Sequence, residues 1–170
     1  MSGGWPATID PAQLAEQGAE LSGELPVTSM PRLAESCLDK QGSVGVDLKF
    51  GREGVERLRF MRGTVRARIR LTCQRCLEPM TLTIETTPDM IVLRPGERPE
   101  LEGQDDTLVV VRAMPLSEFV EDELLLALPM IPKHALDQCP ARDYVGGAPK
   151  PPSKQRANPF AGLKALKPKE

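Results

Sequence analysis

At 170 residues the chain has room for one domain, or for one domain with tails. It contains a single histidine, which nearly excludes the enzymes that depend on a Ser-His or Cys-His nucleophile pair. The net charge of −2 hides a segregation: residues 49–76 carry a net +7, residues 85–123 a net −8 and residues 149–170 a net +5. A polyanionic partner is therefore not excluded, although these blocks could also face each other and cancel.

The sequence has no segment that predicts export or membrane insertion. No apolar run approaches the ~18 residues needed to span a bilayer, and residues 1–11 lack the basic and apolar regions of a signal peptide. We therefore expect a cytoplasmic protein without membrane contact, whose four cysteines are thiols or metal ligands rather than disulfides.

Two short helices are predicted near the N-terminus. Asp10, followed by a proline, is typical of a helix start, and Gly18 of a helix end. Residues 19–27 form a candidate strand. A second helix is predicted from Ser29 to the neighbourhood of Gly42.

From residue 43 the hydrophobic period changes to two, which predicts β-strands. Residues 43–50 and 55–62 are expected to form a hairpin around a turn at 51–54. Beyond Gly63 the apolar positions change from even to odd numbers, so we expect a bulge or a tight turn at that glycine.

The most informative stretch is a second hairpin, residues 64–86, with Cys73 and Cys76 at its turn. In its first strand apolar residues alternate with Arg66, Arg68 and Arg70, which predicts a buried face and a row of arginines in water. In its second strand apolar residues alternate in the same way with threonine and glutamate.

The remaining elements are a strand at 87–93, an acidic flexible loop at 94–106, a strand at 107–112, and a helix that is capped by Ser117 and ended by Pro129. The apolar stripe of this helix consists of Phe119, Val120, Leu124 and Leu128, widened by Leu125 and Leu126.

These elements predict an α+β fold with a largely antiparallel, curved β-sheet, short N-terminal helices and one longer helix in the C-terminal half. We expect a single domain at residues 1–140. Residues 141–170 are rich in proline, lysine, glycine and serine, and are predicted to be a flexible basic tail with a short amphipathic segment after Asn158.

The cysteines offer the most specific chemical signal. Cys73 and Cys76 form a CxxC pair, which holds one zinc ion if two more ligands join it. We hypothesise a site of Cys73, Cys76, His134 and Cys139, with Cys37 as an alternative ligand. Two other interpretations stay open: free thiols, with Cys73 continuing the buried strand face, or a redox pair, although such pairs usually begin a helix within a βαβ pattern that is missing here.

The arginines are candidate nucleic-acid contacts: Arg66, Arg68 and Arg70 on the strand, with Arg59, Arg62 and Arg75 nearby. Basic residues on strands also protect sheet edges from pairing, and these could instead pair with the acidic loop at 94–106. No exposed aromatic residues accompany them, so an RNA contact would be mostly electrostatic and would not read bases.

Catalytic motifs are missing from the sequence. It contains neither a GxxxxGKS/T phosphate loop nor a GxGxxG after a strand. Its paired carboxylates lie in the acidic loop and at a helix start, where solubility and the helix dipole explain them. We therefore predict a protein that is not an enzyme and has no small-molecule substrate.

Taken together, four motifs resemble the bacterial YceD-type family of large ribosomal RNA subunit accumulation proteins. They are LTCQRCLEPM at 71–80, EFVEDELLLALPMIPKH at 118–134, the following Cys139, and NPFAGLKAL at 158–166. The resemblance implies a role in the synthesis, processing or stability of 23S (large-subunit) ribosomal RNA. We expect a ribosome biogenesis factor that binds precursor rRNA or a ribosomal protein. The alternative is a zinc- or thiol-dependent protein-interaction module that affects rRNA only indirectly.

Overall fold

The sheet is organised around one long strand, β4, in the computed structural model, which describes residues 6–55, 57–97 and 106–144. The predicted tail beyond residue 144 and the centre of the predicted acidic loop, residues 98–105, lie outside the described residues. In chain order the elements are β1 (Thr8–Ile9), α1 (Pro11–Gln17), β2 (Glu20–Pro26), a 3-10 turn (Val27–Ser29), α2 (Pro31–Ser36), β3 (Ser43–Glu53), β4 (Leu58–Thr72), β5 (Pro79–Thr86), β6 (Asp89–Leu93), β7 (Asp106–Val109), β8 (Met114–Pro115), α3 (Leu116–Ala127), and two further 3-10 turns (Leu136–Gln138 and Arg142–Tyr144).

β4 spans 15 residues, which corresponds to about 50 Å of extended chain, and it pairs along both edges. β3 lies antiparallel along one edge. Along the other edge, β6 pairs with residues 60–62 and β5 with residues 65–72, both antiparallel. β2 extends the sheet beyond β3, and β7 extends it beyond β6 as a parallel strand. The predicted α+β class with a largely antiparallel sheet is confirmed.

The core lies on the sheet face that the alternating apolar residues share. On β4 these are odd-numbered residues: Met61, Val65, Ala67, Ile69 and Leu71. Opposite them on β3 lie Val44, Val46, Leu48 and Phe50. Helices α1 and α3 both contact β4, and they also contact β3 and β5, respectively. The predicted hairpin at 64–86 is confirmed, with its apolar face inside.

The expected bulge at Gly63 is wrong. Met61 is buried and Phe60 only half-buried, so the buried positions stay odd-numbered across the glycine. The register with β3 is also continuous, with Leu48 opposite Gly63. A different feature requires glycine at this position, because a Cβ there would lie 1.9 Å from the backbone oxygen of Asp47. Gly63 is therefore required because β3 approaches β4 closely there.

The structure shifts several predicted boundaries. β3 continues to Glu53 and β4 begins at Leu58, so the predicted turn at 51–54 begins three residues too early. α2 is shorter than predicted, because a 3-10 turn precedes Pro31 and the helix ends at Ser36. β7 ends at Val109, three residues before the predicted end of that strand.

The helices follow their sequence signals in part. Asp10 caps α1, since its Oδ1 accepts the N–H groups of Ala12 and Gln13, each at 3.1 Å, and Gly18 ends the helix in the left-handed conformation. The buried residues of α3 are Leu116, Phe119, Val120, Glu121 and Leu124. Phe119, Val120 and Leu124 belong to the predicted apolar stripe, and their burial is confirmed. Ser117 does not cap α3, because the helix begins one residue earlier, and Leu126 is exposed and does not widen the stripe. None of the described helices is long and apolar enough to cross a membrane.

Candidate metal centre and arginine face

The CxxC pair occupies the turn between β4 and β5. Cys73 continues the buried face of β4 by one residue and is fully buried. Its N–H donates to the carbonyl of Glu78 at 3.0 Å, and the N–H of Leu77 donates to the Cys73 carbonyl at 2.9 Å. Leu77 takes the left-handed conformation, with φ 62°. The turn thus directs the Cys73 and Cys76 side chains to one side.

The chain that follows α3 lies against this turn. The N–H of Gln74 donates to the carbonyl of Pro132 at 2.8 Å, and the N–H of His134 points at the Cys73 sulfur at 3.4 Å. A 3-10 turn at Leu136–Gln138 then brings Cys139 back into a buried position. We call residues 129–144 the C-terminal segment.

The two parts together assemble a cluster of four potential ligands. One ligand atom from each of Cys73, Cys76, His134 and Cys139 lies within 4.8 Å of all the others. The Cys76 sulfur and His134 Nδ1 are 3.3 Å apart, and His134 Nε2 lies 3.2 Å from the carbonyl oxygen of Pro79. All the cysteines are free thiols. This Cys3His cluster could hold a metal ion, and Cys37, at the end of α2, is not part of it.

The thiols of the turn differ in acidity. Burial alone would raise the pKa of Cys73, but the backbone N–H groups of Cys76, His134 and Arg75 surround its sulfur, and its pKa falls to about 5. Burial raises the pKa of Cys76, and the neighbouring thiols of Cys73 and Cys139 raise it further. The turn therefore presents one sulfur that is stabilised as a thiolate.

The outer face of β4 carries the predicted row of arginines. Arg66, Arg68 and Arg70 are all exposed. Arg66 binds Glu85 through two hydrogen bonds of 2.8 and 3.2 Å, and this guanidinium lowers the pKa of the Glu85 carboxyl. Arg70 binds Asp39 at 2.8 Å. In the described parts of the chain Arg68 has no ion-pair partner, and it lines an open depression of about 320 Å³ with Arg70 and Thr81.

The other predicted arginines lie in different surroundings. Arg62 shares the outer face, where it pairs with Glu53 and Asp89 and lies over the Phe60 ring at 4.2 Å. Arg59 does not share that face: its side chain is mostly buried and binds Glu16 and Glu97.

Arg75 lies between the two cysteines of the turn and is half-buried. Its Nη1 is buried without a hydrogen-bond partner among the described residues. The outer face of β4 carries four of the arginines, Arg62, Arg66, Arg68 and Arg70, and we call this surface the arginine face.

The acidic partners of Arg66 and Arg70 were not expected from the sequence. Glu85 lies directly opposite Arg66 in the β4–β5 ladder, and the outward alternation of β5 is a signal that could have identified it. Asp39 comes from the chain after α2, 31 positions from Arg70, and no local pattern indicates it. The alternative interpretation was that the arginines of the strand pair with the acidic loop at 94–106. Among the described residues, Arg66 and Arg70 pair instead with Glu85 and Asp39, and it is Arg59 that binds the loop, through Glu97.

Comparison with known proteins relates both features to one family. The family model described as large ribosomal RNA subunit accumulation protein YceD matches residues 61–167, which include the arginine face and the cysteine cluster. A protein of that same description from Haemophilus influenzae is 32% identical over 176 residues, covering 96% of this chain and 97% of its own length. No solved structure matches. The chain belongs to the YceD family of large ribosomal RNA subunit accumulation proteins.

Proposed function

We propose that this chain is a non-enzymatic ribosome biogenesis factor of the cytoplasm that supports 23S rRNA accumulation by binding precursor rRNA through the arginine face. The observation that carries the proposal is Arg68, an exposed guanidinium without an ion-pair partner in the described chain, between two further outward arginines. Neighbouring outward side chains on a strand are about 6.5–7 Å apart, which is close to the spacing of successive phosphates. Arg66, Arg68 and Arg70 could therefore neutralise several phosphates together.

The ion pairs on this face do not prevent such binding. Arg66 and Glu85 are both at least half exposed, as is Arg70 in its pair with Asp39. Exposed pairs contribute only about 0–1 kcal/mol, and a phosphate accepts bidentate hydrogen bonds from arginine as a carboxylate does. Replacing the carboxylate partner of Arg66 or Arg70 by a phosphate should therefore cost little free energy.

The character of the contact follows from the composition of the face. Within the described part of the chain, the aromatic residue on this face is Phe60, and its ring is covered by Arg62. Stacking on bases is therefore limited, and the contact would be electrostatic, read the RNA backbone, and weaken strongly with salt. The single histidine supports a non-enzymatic role, because both of its ring nitrogens are engaged, by the Cys76 thiol and the Pro79 carbonyl.

The test is to replace Arg66, Arg68 and Arg70 with glutamine and to measure binding to precursor rRNA between 50 and 200 mM salt. Each lost phosphate contact lowers the salt slope by about 0.7–0.9, so the slope should fall by about two and complementation of a deletion strain should weaken. The circular dichroism spectrum should not change, because outward substitutions usually alter stability by under ~0.5 kcal/mol.

A matched control removes the same charge elsewhere. Arg57, Arg112 and Lys133 are exposed and lie outside the arginine face, and their replacement with glutamine should leave the salt slope within about 0.5 of wild type. An equal loss in both triple variants would mean that only net charge matters. Full complementation by the arginine-face variant, together with RNase-resistant binding to a ribosomal protein, would assign the protein to the alternative class, a protein-interaction module.

A further inference from the structure

We propose that Cys73, Cys76, His134 and Cys139 bind one zinc ion, with His134 as a ligand through Nδ1, and that this ion fastens the C-terminal segment to the β4–β5 turn. The inference is independent of the proposed RNA contact. It assigns a ligand, a coordinating atom and a structural consequence to the cluster.

The spacing of the donors fits a tetrahedral zinc ion. Zn–S bonds of about 2.3 Å and Zn–N bonds of about 2.0–2.1 Å place the ligand atoms of a tetrahedral site about 3.4–3.8 Å apart. The four atoms of the cluster already lie within 4.8 Å of one another, and the Cys76 sulfur is 3.3 Å from His134 Nδ1. Side-chain adjustments of under about 1 Å would therefore complete the site.

The orientation of the His134 ring identifies the coordinating nitrogen. Its Nε2 lies 3.2 Å from the carbonyl oxygen of Pro79, which can only accept a hydrogen bond. Nε2 therefore carries the proton, and the lone pair is left on Nδ1, the nitrogen that faces the Cys76 sulfur. Metal-bound histidines commonly donate their second N–H to a backbone carbonyl, which fixes the tautomer and the ring orientation.

The surroundings complement the charge of a filled site. Three thiolates and one zinc ion carry a net charge of −1. Arg75 lies between the two cysteines of the turn, and its Nη1 is buried without a hydrogen-bond partner among the described residues. A guanidinium group carried by the turn itself would compensate part of the charge of such an anionic centre.

The donor set selects zinc and a structural role. Three sulfurs and one imidazole in a closed four-coordinate arrangement are typical of structural zinc, and no position remains for a water or a substrate. Cys73 and Cys139 are buried, so the centre would be shielded on two sides.

The C-terminal segment has few other attachments to the turn. Besides the contacts of the His134 ring with Cys76 and Pro79, two hydrogen bonds connect them, from the Gln74 N–H to the Pro132 carbonyl and from the His134 N–H to the Cys73 sulfur. Apolar side chains of the segment contribute little, since Met130, Ile131 and Leu136 are exposed. With His134 and Cys139 on the segment and Cys73 and Cys76 on the turn, a zinc ion would be the strongest connection between the two.

The first measurement is the zinc content of tag-free protein by elemental analysis, with thiol titration before and after chelation. We expect close to one zinc per chain, with Cys37 as the one thiol that reacts before chelation and four that react after it. Less than about 0.1 equivalent of zinc, with all four thiols reactive at the outset, would overturn the proposal and identify the cluster as plain thiols. This measurement needs no variant, so a misfolded mutant cannot obscure it.

Cysteine variants then test the ligand set. Cys76→Ser and Cys139→Ser should each lower the zinc content at least fivefold, whereas Cys37→Ser, the matched control outside the cluster, should retain it. Retention of zinc in Cys139→Ser would remove that residue from the ligand set. Ring ¹⁵N chemical shifts of His134 should show a metal-bound Nδ1 and a protonated Nε2, and the opposite assignment would overturn the proposed coordination.

Hydrogen exchange tests the fastening. Chelation should accelerate amide exchange at Gln74, His134 and Cys139 by at least tenfold and leave the β3–β4 ladder unchanged. If the exchange rates stay the same after complete zinc removal, the metal site itself is not contradicted. Its role in holding the C-terminal segment would then be wrong.

Discussion

Glu121 connects two helices, and its replacement has a cost that the structure allows us to estimate. Among the described residues, Glu121 is the only charged residue that is buried. Its Oε1 accepts the N–H of Leu33 at 3.0 Å, and its Oε2 accepts the Nε and Nη2 hydrogens of Arg32 at 2.9 and 2.8 Å. α2 has no side-chain cap of its own. Glu121, on α3, therefore supplies the acceptor that the first turn of α2 requires.

Glu121→Ala should destabilise the protein by about 2–3 kcal/mol. Most of this cost is the buried Leu33 N–H, which loses its acceptor at about 1–3 kcal/mol. The loss at Arg32 is smaller, under about 1 kcal/mol, because its side chain is half exposed and keeps its bond to Asp122. Glu121→Gln keeps an oxygen for the Leu33 N–H, but its amide NH₂ cannot accept from Arg32, so both the charge and the hydrogen bonds to Arg32 are lost. Because the Arg32 side chain is half exposed, this variant should cost only about 1 kcal/mol.

Urea unfolding of the full chain measures both values, provided that the slope against urea concentration stays constant among the variants. Asp122→Asn is the matched control, since Asp122 also binds Arg32 but is exposed, and it should cost under ~0.5 kcal/mol. An equal loss of unfolding free energy in the alanine and glutamine variants of Glu121 would refute the reasoning. The hydrogen bond to the Leu33 N–H would then not be the source of the destabilisation.

Three further predictions concern the sheet, the helix on it and the N-terminal cap. Gly63→Ala should cost about 3 kcal/mol or more in thermal or urea unfolding, because its Cβ would lie 1.9 Å from a backbone oxygen, whereas Gly45→Ala, with its nearest contact at 3.9 Å, should change stability by under ~1 kcal/mol. Leu124→Asp should cost several kcal/mol, because Leu124 is fully buried, and an unchanged melting temperature would contradict the packing of α3. Burial opposes ionisation of Asp10, but the hydrogen bonds from Arg94 and from the start of α1 lower its pKa below the ordinary 3.8. Its stabilisation is therefore present above about pH 4 and is lost as the pH falls through the lowered value, and Asp10→Asn should flatten this part of a pH–stability curve.

The strands could be predicted because one physical pattern decides them. Alternation placed Val65, Ile69 and Leu71 inside and the arginines outside, and the sheet has this arrangement. The same pattern failed at Gly63 because the even-numbered apolar residues before the glycine, such as Phe60, are not the buried ones, and the inward residue is Met61. The actual reason for Gly63, the close approach of the β3 backbone to β4, could not be predicted, because sequence spacing does not show the distance between two strands.

The site was predictable in its composition and not in its geometry. The sequence offers five donors of the right type, His134 and the four cysteines, and the structure brings together all of them except Cys37, the alternative ligand. The role of each nitrogen of His134 could not be predicted, because it depends on the Pro79 carbonyl, which lies 55 positions away in the chain.

Cys73 and Cys76 of the cysteine cluster share the β4–β5 hairpin with Arg66, Arg68 and Arg70, but the pairing of the strands does not depend on the turn. Eight consecutive residue pairs, from Val65 opposite Thr86 to Thr72 opposite Pro79, connect β4 to β5 without any contribution from the turn beyond them. On its other edge β4 is held by β3 through the pairs up to Ala67. If the proposed zinc ion is bound at the tip of the hairpin, its removal should release the C-terminal segment and leave the outward arginines in place. Chelated protein should accordingly bind precursor rRNA within about threefold of untreated protein, an energy difference under ~0.7 kcal/mol. A larger loss would mean that the C-terminal segment, rather than the arginine face alone, contacts the RNA.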